Sequence, residues 1–341
     1  MSGRVMVRSF RVSVNMLTAV YLIGLAIGFG TSFLQPVRDG WPALLRELGP
    51  LLLTPVPLLL AVALLVRARV ALVILLAPLL AIAVLYGSQF LPKDQVPISG
   101  PGFRILSYNV GAARHRYQPA EVLTTILLER PDIVCLVEAP PDTLSTLGLN
   151  LRATYEYQVG SSSVFVLSRF PLTESQAAVV ADGVKDSLHV TVEVDHRLVR
   201  LIAVHLQRID AYPGIRGGPT PMFRAVRRFS TDARDTAMED IVALLRDEHG
   251  PQILAGDLNM TPTSQAHSVL TAELQDAFQE AGSGLGHTYP ATLRSFGLDL
   301  SVPLIRIDYI FHTPDLVAQR AWNSLGRGSD HLPIIADLAF R

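Results

Sequence analysis

The stretch Ile253-Leu254-Ala255-Gly256-Asp257-Leu258-Asn259-Met260 decides how the rest of the chain is read. An apolar run suits a buried strand. A glycine breaks it, and Asp257 and Asn259 follow two residues apart. Along an extended chain that spacing sets both side chains on one face. A carboxylate beside an amide at a strand end can hold a water, a phosphoryl oxygen or a metal. The same residue types also favour ordinary Asx turns, for their own hydrogen-bonding reasons. On the octapeptide alone the two readings stand level. What decides is whether other acidic, His and Asn residues sit at the ends of other strands.

Several do. Phe103–Val110 reads as a strand with Asn109 near its end, and Asp132–Glu138 as an apolar strand closed by Glu138. A carboxylate in that place is either a metal ligand or a solvated strand terminus. Between them Gln118–Glu129 has helical spacing, ended by Pro131. Tyr155–Gly160 and Ser163–Ser168 read as one strand pair, Ser187–Val194 and Leu198–His205 as another, with His205 closing the last. His189 and His196 read as surface residues of that second hairpin. Thr231–Glu248 is an amphipathic helix, and Pro262–Leu274 a helix or turn. Ile305–His312 is a strand that places Asp308 in an apolar setting, where a charge needs a partner. Ser329-Asp330-His331 precedes the last strand, Ile334–Phe340.

Between His205 and the long helix lies a Gly- and Pro-rich segment, 208–221, of a length that is often functional in a compact domain. Arg224, Arg227 and Arg228 follow it. They suit a phosphate or lipid headgroup, or simply a solvated helix face.

Competing chemistries are excluded by what is missing. There is no Gly-x-Ser-x-Gly elbow, no Walker phosphate loop and no His-Glu-x-x-His pair. Cys135 is the single cysteine, so zinc-thiolate chemistry and an internal disulfide are ruled out. It lies inside an apolar run and reads as a core residue. Oxygen-rich ligands without thiolate point to Mg²⁺ or a similar hard cation, Mn²⁺ included.

Residues 1–92 differ in kind. They hold seven of the 29 Lys+Arg and two of the 30 Asp+Glu, a balance of +5, which leaves 22 against 28, or −6, for the remainder. An acidic C-terminal part argues against tight binding to a long polyanion. Three apolar runs, Val12–Leu34, Leu48–Val66 and Val70–Tyr86, are each long enough to cross about 30 Å of hydrocarbon as helices. Pro55, Pro57 and Pro78 are expected to kink the second and third. Arg4, Arg8, Arg11, Arg67 and Arg69 fall on one side, Arg38, Arg46 and Lys93 on the other. That bias places the N-terminus inside and, after three crossings, everything beyond residue 92 outside the cytoplasm. Residues 93–102 read as a linker and 103–341 as the second domain.

In their order and spacing, Asn109, Glu138, His205, Gly256-Asp257-Leu258-Asn259, Asp308 and Ser329-Asp330-His331 resemble the endonuclease/exonuclease/phosphatase superfamily, the DNase I-like group. The resemblance covers about residues 103–341. It implies an α+β fold, an αββα four-layer sandwich, here preceded by three transmembrane helices. It implies Glu138 as the main Mg²⁺ ligand with Asn109 beside it. Asp257 resembles the residue that orients or deprotonates the attacking water, and Asn259 a donor to the phosphoryl group or nucleophile. His331 resembles a phosphate-contacting His oriented by Asp308, and His205 a second such His. Asp330 is similar to a metal ligand or to a residue just behind one. Two departures stand out. Val137 precedes Glu138 where Gln is common, and Gly111 follows Asn109 where some nucleases carry an acid, which favours one metal over two. The combination of membrane spans and such a domain is similar to a bacterial group that includes the VanJ-type teicoplanin-resistance proteins. It implies a lipid-linked phosphate or pyrophosphate substrate.

The expectation is a membrane-bound, metal-dependent phosphohydrolase whose partners are the bilayer and a phosphorylated substrate, with no stable nucleic-acid complex. A surface nuclease or phosphodiesterase and a catalytically silent phospholigand-binding module are the competing readings. The sequence leaves oligomeric state open.

Overall fold

The computed structural model describes residues 3–34, 37–93, 100–111, 118–140, 147–177, 183–208, 226, 229–291, 293–295, 298–300, 302–326 and 328–341. The chain divides into two units, Met1–Leu91 with Asp210–Thr231, and Pro92–Ile209 with Asp232–Arg341.

The first unit is helical: α1 (Gly3–Leu34), α2 (Gly40–Glu47), α3 (Gly49–Leu52), α4 (Pro55–Val66) and α5 (Arg69–Tyr86), the last continuing as a 3₁₀ turn, Gly87–Phe90. Val14, Val56, Ala63, Ala71 and Leu75 pack α1, α4 and α5 together. Asn15 Oδ1 accepts the Ala71 N–H at 2.9 Å, and Arg11 Nε donates to the Val66 carbonyl at 2.9 Å, so α1 fastens the turn between α4 and α5. The outward faces stay apolar: Met16, Val20, Ile23 and Ile27 on α1, and Val73, Leu76, Leu80 and Val84 on α5, are exposed. Among the described residues, two segments, Val5–Gly30 and Arg69–Phe90, are long and apolar enough to cross a membrane. The expected second span is different. The run Leu48–Val66 is not one helix but α3 and α4, broken before Pro55. Neither Pro55 nor Pro57 has an N–H to continue a helix from the preceding turn. Alone, α4 has 12 residues, about 18 Å at 1.5 Å per residue.

The second unit opens with β1 (Gly102–Asn109), α6 (Pro119–Glu129) and β2 (Ile133–Val137). There follow β3 (Tyr157–Gly160), β4 (Phe165–Ser168), β5 (Leu172–Ala177), β6 (Val184–Val194) and β7 (Arg197–Leu206). Then come α7 (Asp232–Arg246), β8 (Gln252–Asp257), α8 (Gln265–Leu270), β9 (Gln275–Asp276) and α9 (Ala277–Ala281). The chain ends with β10 (Leu293–Ser295), β11 (Leu298–Leu300), β12 (Asp308–His312), β13 (Leu316–Asn323) and β14 (Ile334–Phe340). Two six-stranded mixed sheets result, in the orders β13-β14-β1-β2-β4-β3 and β5-β6-β7-β8-β12-β9, and β10 and β11 pair apart from them.

Alternation along the strands builds three cores. Ile105, Ile133 and Cys135 of one sheet meet Val190, Leu201, Ala203, Ile253, Ala255 and Ile310 of the other. The intervening residues Leu106, Val134 and Leu136 pack under Val122 and Ile126 of α6. On the far side, Leu254, Tyr309 and Phe311 pack under Met238, Ile241, Val242 and Leu245 of α7, with α8 beside them. Central strands buried on both faces read as continuous apolar runs. The four-layered α+β sandwich expected from the sequence is therefore present. Each fully buried Val, Leu or Ile contributes about 1.5–3 kcal/mol. Cys135 is a core residue, and burial pushes its thiol up to about 12.

Candidate active site

The site lies where the inward-facing series of both sheets run out of apolar residues. Ile105 is followed on that face by Ser107 and Asn109, Ala203 by His205, and Ala255 by Asp257. On the antiparallel β12, Asp308 precedes Ile310 in the same series. Register completes the alignment. His205 pairs with Asp257 across β7 and β8, and Asp308 with Asp257 across β12 and β8. Three strand ends of one sheet thus set an imidazole and two carboxylates side by side.

The glycine of the octapeptide does not break the strand; β8 runs through it to Asp257. Gly256 has φ +148, and a Cβ there would meet the Val204 carbonyl oxygen at 1.8 Å. It is glycine because β7 approaches too closely for a side chain. The strand then stops. Asn259 is left-handed, with φ 46, and its N–H donates to Asp257 Oδ1 at 2.9 Å. Asp257 and Asn259 are related by an Asx turn, not by strand alternation. The Asn259 amide gives one N–H to the Leu206 carbonyl at 3.0 Å. The Asn259 carbonyl accepts from Arg234 Nη1 at 2.9 Å, and Arg234 pairs with Asp235 within 2.7 Å.

Asp257 Oδ2 is left to the side chains of the site. Asn109 Nδ2 donates to it at 2.8 Å, and His205 Nε2 and His331 Nε2 stand 3.9 and 4.0 Å away. Burial, and next to it the Asp308 carboxylate, push Asp257 up to about 7, against the lowering pull of His331, the Asn259 N–H and Asn109. His331 Nδ1 bonds Asp308 Oδ2 at 2.9 Å. Burial opposes its charged form, but Asp308, Asp257 and Asp330 outweigh that and raise it to about 9. His331 is therefore an imidazolium at neutral pH, with Nε2–H turned toward Asp257. Its ring packs on Tyr289 at 4.9 Å between centroids. His205 goes the other way. Burial first, then Lys185, His331 and Arg208, bring it down to about 3, so it is neutral.

Glu138 follows β2 with φ 51, and its Oε1 lies 3.3 Å from His205 Nε2 and 3.8 Å from Lys185 Nζ. Asp330 is buried, and the Ser329 hydroxyl donates to the Asn109 carbonyl at 2.6 Å. Gly111 has φ +66, and a side chain there would meet Asp330 Oδ1 at 2.7 Å. Any side chain there would press on Asp330 and Ser329 from a left-handed backbone position.

Eight residues chosen from the sequence therefore share one region of the second unit: Asn109, Glu138, His205, Asp257, Asn259, Asp308, Asp330 and His331. Arg224, Arg227 and Arg228 lie outside the described residues. Lys185 and Tyr289 went unnoticed in the sequence. Of the histidines read as surface residues, His196 is exposed in a turn, whereas His189 is half-buried on β6. Among the described residues, Asp257, Asp308 and His331 each bring one ligand atom within 4.8 Å of the others. While His331 holds its proton, its Nε2 meets an anion rather than a cation. The remaining donors, Glu138, Asn109, Asp257, Asp308 and Asp330, are all oxygens, and buried Asp308 Oδ1 has no hydrogen-bond partner. Such a set fits a hard divalent cation.

Residues 106–331 match the sequence model of the Endonuclease/Exonuclease/phosphatase family. A search of curated proteins finds no match. Among solved structures, an endonuclease/exonuclease/phosphatase from Bacteroides vulgatus is similar at 17% identity and TM-score 0.56, over 71% of this chain and 100% of that one. The human nocturnin catalytic domain with bound sulfate matches at 19% identity and TM-score 0.53, over 73% and 97%. D. rerio TDP2 complexed with single-strand DNA product matches at 16% identity and TM-score 0.53, over 70% and 98%. At these identities the likeness is one of fold.

Proposed function

The chain belongs to the endonuclease/exonuclease/phosphatase family, and from that premise we propose a membrane-anchored, divalent-metal-dependent hydrolase of phosphoester or pyrophosphate bonds. The observation that carries this reading is the convergence on Asp257 Oδ2 of Asn109, His205 and the His331–Asp308 pair. An Asp raised to about 7 is a base of strength matched to neutral pH. Asp257 Oδ2 takes the proton of an attacking water, while Asn109 and the Asn259 N–H hold the carboxylate in place. His331, kept charged by Asp308, gives Nε2–H to a phosphoryl oxygen, where negative charge grows in the transition state. Glu138, Asn109 and Asp330 would hold the cation, most simply Mg²⁺, which supplies a Lewis acid for the same developing charge.

Anchoring is supported by the outward apolar faces of α1 and α5, since exposed apolar surface of that extent needs a partner. In this reading α3 and α4 cross together as a broken helix, tolerated where neighbouring helices pack against the break. The arginine bias then sets the hydrolase unit outside the cytoplasm, and a lipid-linked phosphate is the substrate an anchored enzyme of this kind meets.

A phosphate-release and nucleic-acid-cleavage panel on the purified protein tests this, with Mg²⁺ and with EDTA, beside Asp257→Ala and His331→Ala. Metal-dependent phosphate release from lipid phosphates, lost in both variants, is expected. DNA or RNA cleavage without lipid phosphate release would replace the substrate reading by a nuclease. No metal-dependent activity, or equal activity in the variants, would leave a binding module. Protease accessibility of the hydrolase unit in sealed cells checks its side of the membrane.

A further inference from the structure

Glu138 has a backbone conformation that it would not adopt by preference. Its φ of 51 is left-handed. For a residue with a side chain such a conformation costs free energy, and it persists only where the surroundings impose it. Hydrogen bonds hold the chain on both sides. The Val137 carbonyl accepts from the Val110 N–H at 2.9 Å, which extends the ladder between β1 and β2. The Ala139 N–H donates to the Ser163 carbonyl at 3.0 Å. Ser163 belongs to the turn 161–164 that joins β3 to β4. The turn closes on itself, the Ser161 N–H donating to the Val164 carbonyl at 2.8 Å.

The same turn is tied to the other sheet. Asp186 Oδ2 accepts the Ser163 N–H at 2.6 Å and the hydroxyls of Ser161, Ser162 and Ser163 at 2.8, 2.9 and 3.0 Å. A bulge in β6 delivers this buried carboxylate. From Leu188 to Val194 the even-numbered residues of β6 face the inter-sheet core, yet Val184 packs in the outer layer. Val184 pairs with Leu206 and Asp186 with His205, which leaves Lys185 as the extra residue. A bulge re-aims side chains, and here the inward series ends in Asp186. Because the turn already closes by its own bond, the bonds to Asp186 fix its place against the second sheet rather than its shape. The path returns to where it began. Asp186 pairs with His205, whose Nε2 lies 3.3 Å from Glu138 Oε1. Glu138 is thus held against the His205 strand through Ala139, Ser163 and Asp186.

Resting on the reading of Glu138 as a cation ligand, we propose that Asp186 is a positioning residue for Glu138: through the serine turn it fixes the backbone after Glu138, and so holds the carboxylate in the place from which it binds the divalent cation. Asp186 touches neither the cation nor the substrate in this assignment. It acts through the Ser163 carbonyl and the Ala139 N–H alone.

The test uses the full chain in detergent, stripped of metal with EDTA and then titrated with Mn²⁺ alone. Calorimetry and the paramagnetic resonance signal of free Mn²⁺ give the affinity of the wild type, Asp186→Ala, Asp186→Asn and Glu138→Gln. Groups that hold a metal ligand in place are worth about ten- to a hundredfold in metal affinity. Asp186→Ala should therefore bind Mn²⁺ about tenfold more weakly, with the circular dichroism of the wild type. Asp186→Asn keeps an acceptor oxygen but loses the charge, and should fall between the two. Wild-type affinity in Asp186→Ala, or in Asp186→Asn should the alanine variant not fold, would overturn the assignment. Residues that act through one group are non-additive, so Asp186→Ala combined with Glu138→Gln should bind little more weakly than Glu138→Gln alone. Multiplied losses would show that Asp186 acts elsewhere. Should the wild type bind no Mn²⁺, the metal-dependent reading fails by itself. Hydrogen exchange in EDTA then decides for Asp186. Faster exchange of the peptide holding Ala139 in Asp186→Ala, with β1 and β2 still protected, upholds it, and wild-type exchange overturns it.

Discussion

Asn109 Nδ2 donates to Asp257 Oδ2 at 2.8 Å, joining the ends of two different sheets through residues 148 positions apart. Asp257 Oδ1 is already taken by the Asn259 N–H. The carboxylate is therefore held from two sides, Oδ1 by the turn after β8 and Oδ2 by the end of β1 in the other sheet. Catalysis by a fixed base depends on such positioning.

Asn109→Ala should lower kcat by about ten- to a hundredfold, the worth of a hydrogen bond to a charged group. Circular dichroism should stay that of the wild type. Asn109→Asp should cost more, because it sets a second carboxylate against Asp257. Wild-type kcat in both variants would show that the contact is incidental.

His331 and Asp308 should behave as one unit. Asp308→Asn keeps the shape but removes the charge that bonds His331 Nδ1 at 2.9 Å. By comparison with other buried Asp–His pairs, kcat should fall by about 10³–10⁴. Residues acting together are non-additive, so Asp308→Asn with His331→Ala should be little slower than His331→Ala alone. Multiplied losses in the double variant would separate the two roles.

The octapeptide shows what the sequence could and could not reveal. Its two readings, Asx turn and functional carboxylate, both hold, because Asp257 uses one oxygen for each. Strand-end residues such as His205 and Asp308 were legible because polar groups interrupt apolar series there. Lys185 was not, since a bulge is decided by pairing with a partner strand rather than by the strand's own pattern. Pro55 and Pro57 were legible as a kink in one span, but hydropathy sums over a run and does not show that the helix ends before them and leaves α4 with 12 residues. The burial of Arg234 and Arg306 was not announced either.

Gly256 should not tolerate a side chain. Its Cβ would lie 1.8 Å from the Val204 carbonyl, at a φ of +148 that L-residues rarely adopt. Relief requires β7 and β8 to part, and those strands carry His205 and Asp257. Gly256→Ala should destabilise the second unit by about 3 kcal/mol or more, the cost of overpacking plus strain. Thermal unfolding followed by near-UV circular dichroism measures it, and a wild-type melting temperature would contradict the close approach of the strands.

Acid sensitivity should centre on Asp276, outside the candidate site. Its carboxylate is buried, accepts the Phe278 and Gln279 N–H groups at 2.9 and 3.2 Å, and pairs with Arg306 Nη2 at 2.8 Å. Arg306 is itself buried, its guanidinium 5.4 Å from the Phe278 ring centroid and 4.8 Å from that of Tyr309. Burial alone would raise the Asp276 pKa. Arg306, His267 and the backbone N–H groups more than offset this and hold it below its ordinary 3.8. A depressed folded-state value means that the unfolded chain binds the proton first. The stabilisation is then complete above 3.8 and is lost as pH falls through the lower, folded value. Asp276→Asn can still accept the N–H bonds but leaves Arg306 buried without its counter-charge, which costs about 3–5 kcal/mol. Urea unfolding at neutral pH should therefore show a large gap between wild type and variant, and the gap should narrow as pH drops below 3.8. A gap of constant size would mean that packing, not the Asp276–Arg306 charge pair, holds this edge of the sheet together.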